Sequence, residues 1–161
     1  MNNIFILNAS PIILLGKAGL LETIAPLAES WIVPEGVVAE VEAKKPIDAY
    51  LSGLANAANV SRGFVEHIHP SVAAWDLGRG ESEVITLAMQ KAGAGVVLDD
   101  FQARKCAALF QIPLIGSLGL LVRAKRSGHI NTARTEIEKL IKSGLRIDLA
   151  MLNRIYKKIG E

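Results

Sequence analysis

The sequence predicts an α/β protein in which a mostly parallel sheet is covered on both faces by helices. Three observations carry that prediction. Short apolar runs such as Ile4 to Leu7 alternate with segments of helical periodicity, the pattern of strand-helix-strand units joined by right-handed crossovers. Half of the residues are apolar but only 5% are aromatic, so the core is built of Leu, Ile, Val and Ala, as in helix-covered parallel sheets. Small polar residues and proline follow the apolar runs, as in Asn8-Ala9-Ser10-Pro11, where such sheets place their loops.

Each element has its own signal. Ile4 to Leu7 reads as a central strand buried on both faces. Ser10 as N-cap and Pro11 at the first helical position predict a helix to Lys17, ended near Gly19. Leu20 to Ala28 repeats the helical pattern, and Trp31 to Val33 is a second strand. Pro34 then leads a helix whose Val37, Val38 and Val41 share one face, with Glu40 beside it. A helix over Asp48 to Ala58, a turn at Asn59 to Gly63 and a strand at Phe64 to Ile68 follow. His69 to Gly80 reads as a loop into the strongest helix signal, GESEVITLAMQKAG. Then come a strand at Val96 to Leu98, a helix at Phe101 to Phe110, a strand at Pro113 to Ile115 and a helix at Leu118 to Lys125. Helices over Thr132 to Lys142 and Asp148 to Ile159 end the chain.

The 161 residues predict one domain, 1–161, with its C-terminal helices from about 132. There is no linker, repeat or low-complexity tract. One cysteine, Cys106, excludes a disulfide within the chain and reads as a small buried hydrophobe. The N-terminal apolar run lacks a basic flank and a cleavage site, and no stretch of about 20 apolar residues offers a membrane span. A soluble, cytoplasmic protein is expected. The formal charge of +2 is too small to mark a nucleic-acid binder by itself, so its distribution matters more.

Ligands of an open parallel sheet bind outside the carboxyl ends of the strands. Asn8 and Ser10 follow the first strand, Glu40 lies on the helix after the second, and Asp99 and Asp100 follow the fourth. Glu81 and Glu83 open the helix before that strand. Carboxylates gathered without cations repel one another. A divalent metal resolves the conflict, and oxygen-only ligands suit Mg²⁺ or Mn²⁺, which usually act on phosphates. Hydrolysis of a phosphodiester by a metal-activated water is the chemistry such a set supports. Each residue also has an ordinary explanation: Asp100 as an N-cap, Asp99 as a solvated acid, Glu81 and Glu83 as acids favoured by the helix dipole, Glu40 as a helix-edge acid. Glu81 and Glu83, two apart on a helix, point to different sides and do not serve one ion equally.

The segments LNASPIILL, VPEGVVAEV, GRGESEVITLA, VVLDDFQARKCA and IGSLGLLVRAKRSGHI resemble the PIN-domain superfamily of metal-dependent ribonucleases, in its prokaryotic branch related to toxin-antitoxin toxins. The resemblance runs over nearly the whole chain. It implies a three-layer α/β/α sandwich, Mg²⁺ or Mn²⁺, single-stranded RNA as substrate, a homodimer, and a small antitoxin protein as partner. Carried over residue by residue, it implies metal ligation by Asn8, Glu40, Glu81 and Asp100, with Ser10, Glu83 and Asp99 as neighbours. Glu40, Glu81 and Asp100 are the catalytic candidates, and Ser10, Arg104 and Lys105 the substrate-binding ones. Between Asp99 and Asp100 the alignment leaves a one-residue choice, and Asp100 is favoured. The family has an aspartate where this chain has Asn8, whose amide oxygen can coordinate a cation but brings no charge. A catalytically silent module that binds RNA or a protein through the same cleft is therefore the alternative reading.

Cations accompany these acids. Arg104 and Lys105 follow Asp100, and Arg123, Lys125 and Arg126 end a later helix; they are candidates for neutralising RNA phosphates, although the last three also suit the helix dipole in any protein. His67 and His69 lie two apart on the predicted strand and face one side, but no third ligand accompanies them. The IGSLG turn lacks the lysine and the glycine pattern of a P-loop, which weakens a nucleotide-binding alternative.

Overall fold

A computed structural model describes residues 4–161; the first three residues of the expected domain lie outside the described residues. Five parallel strands form one sheet in the order β3-β2-β1-β4-β5. They are β1 (Ile4–Leu7), β2 (Ser30–Pro34), β3 (Asn59–Gly63), β4 (Gly95–Val97) and β5 (Leu114–Ile115). Ile6 at the centre pairs with Ile32 on one side and Val96 on the other. The chain builds outward from β1 through β2 to β3, then crosses back to start β4 against β1's free edge. That reversal between β1 and β4 is a topological switch point, and the loops after both strands open at the same edge.

Helices complete the three-layer α/β/α sandwich. They are α1 (Ala9–Lys17), α2 (Leu21–Ile24), α3 (Glu35–Glu42), α4 (Asp48–Ala55), α5 (Pro70–Ala73), α6 (Arg79–Gln90), α7 (Phe101–Leu109), α8 (Ser117–Arg126), α9 (Arg134–Lys142) and α10 (Leu149–Ile159). Helix α6 lies on β1, β2 and β4 with α3 against it, while α8 packs on α1, α2 and α9. One continuous aliphatic core joins these layers. Within it Trp31 stacks on Phe5 at 5.3 Å and donates its indole N–H to Ala25 O at 3.0 Å, which satisfies the only polar atom of a fully buried side chain. Among the described residues, no single helix is long and apolar enough to cross a membrane.

Four local expectations change, one of them the loop read over His69 to Gly80, which holds the short helix α5. Ser10 is not the N-cap of α1: Asn8 holds that position, with its N–H still bonded to Val97 O at 3.2 Å across the sheet, and Ser10 falls in the first turn. The chain thus passes from strand to helix with no intervening loop. The expected helix over Leu20 to Ala28 breaks into α2 and a 3₁₀ turn, Ala25–Leu27, because Pro26 has no N–H to extend an α-helix. The third strand is Asn59–Gly63, not Phe64 to Ile68. Its polar residues read as a turn because it is a largely exposed edge strand, defined by backbone pairing with β2 from Ser30–Asn59 to Pro34–Gly63 and not by apolar alternation. His67 and His69 therefore share no strand face: His69 Nδ1 accepts from Ser71 N at the start of α5, and exposed His67 lies beside Glu66.

Candidate metal centre

Four of the expected ligands come from four different elements. Asn8 sits where β1 becomes α1, Glu40 on α3, Glu81 in the first turn of α6, and Asp100 at the N-cap of α7. The β1–β4 switch point brings the first and last together, and the packing of α3 on α6 brings the other two. Gly80 marks the point of closest approach. A Cβ at Gly80 would stand 3.1 Å from Glu40 Oε2, 3.2 Å from Val37 Cγ2 and 3.5 Å from Asn8 Oδ1. Glycine here lets the start of α6 approach both groups, a role the sequence signalled only through the paired glycines of GRGES.

The electrostatics show the same convergence. Burial raises the Glu81 carboxyl above its ordinary pKa, and the Gly78 N–H, donating to Glu81 Oε2 at 3.2 Å, draws it down. The negative charges of Asp100 and Glu40 raise it again, against a smaller opposing effect of the Asn8 amide. Asp100 serves at the same time as N-cap of α7, accepting from Ala103 N at 2.9 Å. Glu40 is exposed.

Asn8 is the anomaly. It is only 2% exposed, and its Oδ1 is the one buried side-chain oxygen or nitrogen among the described residues with no hydrogen-bond partner. Most N-cap asparagines bond the first turn of their helix; this one makes no such bond. A buried amide oxygen without a partner costs on the order of 1–3 kcal/mol, which a cation seated against it would remove.

The structure parts Glu83 and Asp99 from this group. Glu83, 4% exposed, accepts from Gly36 N at 3.1 Å and from Arg79 Nε at 2.7 Å. It ties the first turn of α3 to α6, and a Cβ on Gly36 would run into its carboxylate. Two residues beyond Glu81, it points to the other side of the helix. Asp99 accepts from Ser117 N at 2.8 Å and Ser117 Oγ at 2.6 Å, joining the end of β4 to the start of α8. Of the two adjacent aspartates, Asp100 is the one that interacts with Glu81.

The expected substrate residues separate as well. Ser10 is exposed in the first turn of α1. Arg104 donates to Leu98 O at 3.0 Å. Exposed Lys105 places its ammonium 5.2 Å over the Phe101 ring. Lys125 is bound to Glu161 at 2.6 Å and is not free for a ligand.

Among the described residues, no group of three or more His, Cys, Asp or Glu stands ready to hold a metal ion by itself. The donor set at the switch point is one amide oxygen with the carboxylates of Glu40, Glu81 and Asp100. All are oxygens, and the orphaned Oδ1 supplies the unsatisfied position. Such a set fits a hard divalent cation.

A family model described as a PIN domain matches residues 4–161. No curated protein matches the chain. Among solved structures, a PilT N-terminus domain protein from the hyperthermophilic archaeon Sulfolobus solfataricus P2 is similar, with a TM-score of 0.55 at 19% identity over 75% of this chain and 92% of that one. At that identity the likeness concerns the fold.

Proposed function

Since the chain belongs to the PIN-domain family, whose members are typically nucleases using divalent metal ions, we propose that it is an Mg²⁺- or Mn²⁺-dependent endoribonuclease, of the kind found as the toxin of a toxin-antitoxin pair. The observation that carries this reading is the buried, unpartnered Asn8 Oδ1, set between Glu40 and Glu81 at the switch point of the sheet. Asn8, Glu40, Glu81 and Asp100 would hold the ion. When bound, it supplies an activated water and neutralises the charge that builds on the scissile phosphate.

The chain's own residues do the rest. Glu81 is half-buried and near two other acids, so it releases its proton less readily than an exposed glutamate, and a cation beside it would offset that. Glu83 fixes α3 to α6 and so sets where Glu40 stands. Ser117, fastened to Asp99, fixes the loop after β4 that carries Asp100. A cytoplasmic location, a homodimer and a small antitoxin partner are part of the same proposal.

The second reading, a silent module that binds RNA or protein in this cleft, is favoured by one feature: Asn8 contributes no charge where the family has an aspartate. Cleavage of single-stranded RNA in Mg²⁺ or Mn²⁺ separates the two. Activity in the natural chain that is lost in Glu81→Gln supports the enzyme. Activity that appears only in Asn8→Asp supports the silent module.

A further inference from the structure

We propose that single-stranded RNA reaches this site along a cationic track formed by two adjoining cavities, with Arg146 where they meet; the proposal rests on the ribonuclease reading above. The larger cavity, about 680 Å³, opens between the β5 edge, α8 and α10, and Arg104, Arg123, Arg126 and Lys158 stand in its wall. The smaller, about 380 Å³, lies beside α1 and carries Lys17 and Lys44. Asp99, Leu145 and Arg146 belong to both, so the loop between α9 and α10 separates the two and Arg146 faces each.

None of the four candidate ligands lines either cavity, and the track comes nearest to them through their neighbours in the chain. Its shared wall includes Asp99, next in the chain to Asp100, and the smaller cavity includes Ser10, two residues from Asn8. A strand lying in both cavities would run on from Ser10 and Asp99 toward Asn8 and Asp100.

Charge placement points to a polyanion. The chain as a whole is nearly balanced, with 18 Lys and Arg against 16 Asp and Glu, yet seven cations line these cavities against two carboxylates. Asp99 is turned to Ser117 and Asp148 to Met151 N at 2.7 Å, and the two leave the cavities with a net excess of positive charge. The ion pairs among the described residues use Arg62, His67, Arg79, Lys125 and Lys139, and none uses a cation of the track. Arg104 is held by Leu98 O at 3.0 Å and Arg123 lies 5.5 Å over the Phe5 ring, whereas Arg126, Arg146, Lys158, Lys17 and Lys44 have no such partner among the described residues. Cations held together repel one another, and an anion relieves that repulsion.

Arginine chemistry and the wall composition narrow the ligand. Four of the seven cations are arginines, whose planar fork matches phosphate oxygens in a bidentate way. Between them Leu118, Val122, Met151 and Ile155 give an apolar surface on which unpaired bases can rest. A duplex, with its bases turned inward, makes no use of that surface, whereas a single strand does.

The test is the fluorescence anisotropy of a labelled single-stranded oligoribonucleotide with the full chain in EDTA, where no metal is bound and no cleavage occurs. Arg146→Glu, Arg126→Glu and Lys158→Glu are each expected to weaken binding about fivefold or more, and to reduce the slope of log affinity against log salt by about 0.7 for each phosphate that is no longer neutralised. Lys17→Glu with Lys44→Glu, on the other cavity, makes the same test without disturbing α8 or α10. Lys91→Glu, at a cation that lines neither cavity, is expected to bind this RNA as the natural chain does. Unchanged affinity in the folded Arg126, Arg146 and Lys158 triple variant overturns the track. So does an acidic amphipathic peptide that binds more tightly than RNA and is released by the same substitutions, which would assign the track to a protein partner. The two levels fail separately. A chain that takes Mn²⁺ but binds RNA regardless of these cations keeps its metal centre and loses the track; one that binds RNA through them but takes no Mn²⁺ keeps the track and loses the metallonuclease reading.

Discussion

Glu83 Oε1 accepts the backbone N–H of Gly36 at 3.1 Å, joining the second turn of α6 to the first turn of α3 across 47 residues of sequence. Two residues earlier, Glu81 faces the candidate metal centre. Neighbouring glutamates of one helix thus have opposite tasks, and substitution separates them. Glu83→Ala leaves the buried Gly36 N–H without a partner and is expected to cost about 2 kcal/mol, or a fall in Tm of roughly 4–8 °C for a chain of this size. Glu81→Gln removes a carboxylate already disfavoured by burial and by Asp100 and Glu40, so its Tm is expected to equal or exceed that of the natural chain. Differential scanning calorimetry of both variants checks the contrast.

Gly80→Ala poses two effects of similar size. Alanine within a helix gains about 1 kcal/mol over glycine, but here its methyl would press on Val37 and Glu40 at 3.2 and 3.1 Å. The expected result is a Tm within a few degrees of the natural value and a several-fold loss of Mn²⁺ affinity, because Glu40, exposed and flexible, yields before Val37 does. Calorimetry paired with a metal titration reads both quantities.

The C-terminal helices are held by Glu161, which accepts from Lys125, Thr132 and the N–H groups of Ala133 and Arg134. The hydrogen bond from Lys125, then that from Thr132, holds its carboxyl down at about 2 from an ordinary 4.5, with the two backbone N–H groups adding to the effect. A depressed carboxyl stabilises the fold above the unfolded pKa and loses that contribution as the pH falls toward the folded one. Between about pH 4.5 and 2, α10 is therefore expected to loosen progressively in the natural chain. In Glu161→Gln that part of the acid dependence is expected to be absent, which limited proteolysis or hydrogen exchange across α10 at stepped pH would show.

Cys106 is fully buried on α7, and burial pushes its thiol pKa up. Since the thiolate is the reactive form, a thiol reagent is expected to label the native chain slowly and to react at once in denaturant. Fast native labelling would place Cys106 in an open environment.

The sheet and most of its helices were legible because their signals are local: apolar runs for β1, β2 and β4, and a clear helical period in GESEVITLAMQ. The third strand was not, because Asn59–Gly63 is an edge whose place is fixed by backbone pairing with β2. Of the four candidate ligands, Asn8 and Asp100 were readable from their positions after strands and Glu81 from a helix start, while Glu40, in the second turn of α3, was readable as an acid beside the apolar face of Val37, Val38 and Val41. What pattern did not reveal was direction. Only the structure shows Glu83 turned to Gly36 and Asp99 fastened to Ser117. Nor could pattern reveal that Lys17, Lys44 and Arg146, distant in sequence, adjoin one path.

The most direct test of the account is Mn²⁺ binding followed by isothermal titration calorimetry. The natural chain is expected to take up Mn²⁺, Asn8→Asp to bind it about tenfold more tightly because a charge replaces an amide, and Glu81→Gln with Asp100→Asn to bind none. Absence of binding in both the natural chain and Asn8→Asp, or binding that survives the loss of Glu81 and Asp100, would contradict it.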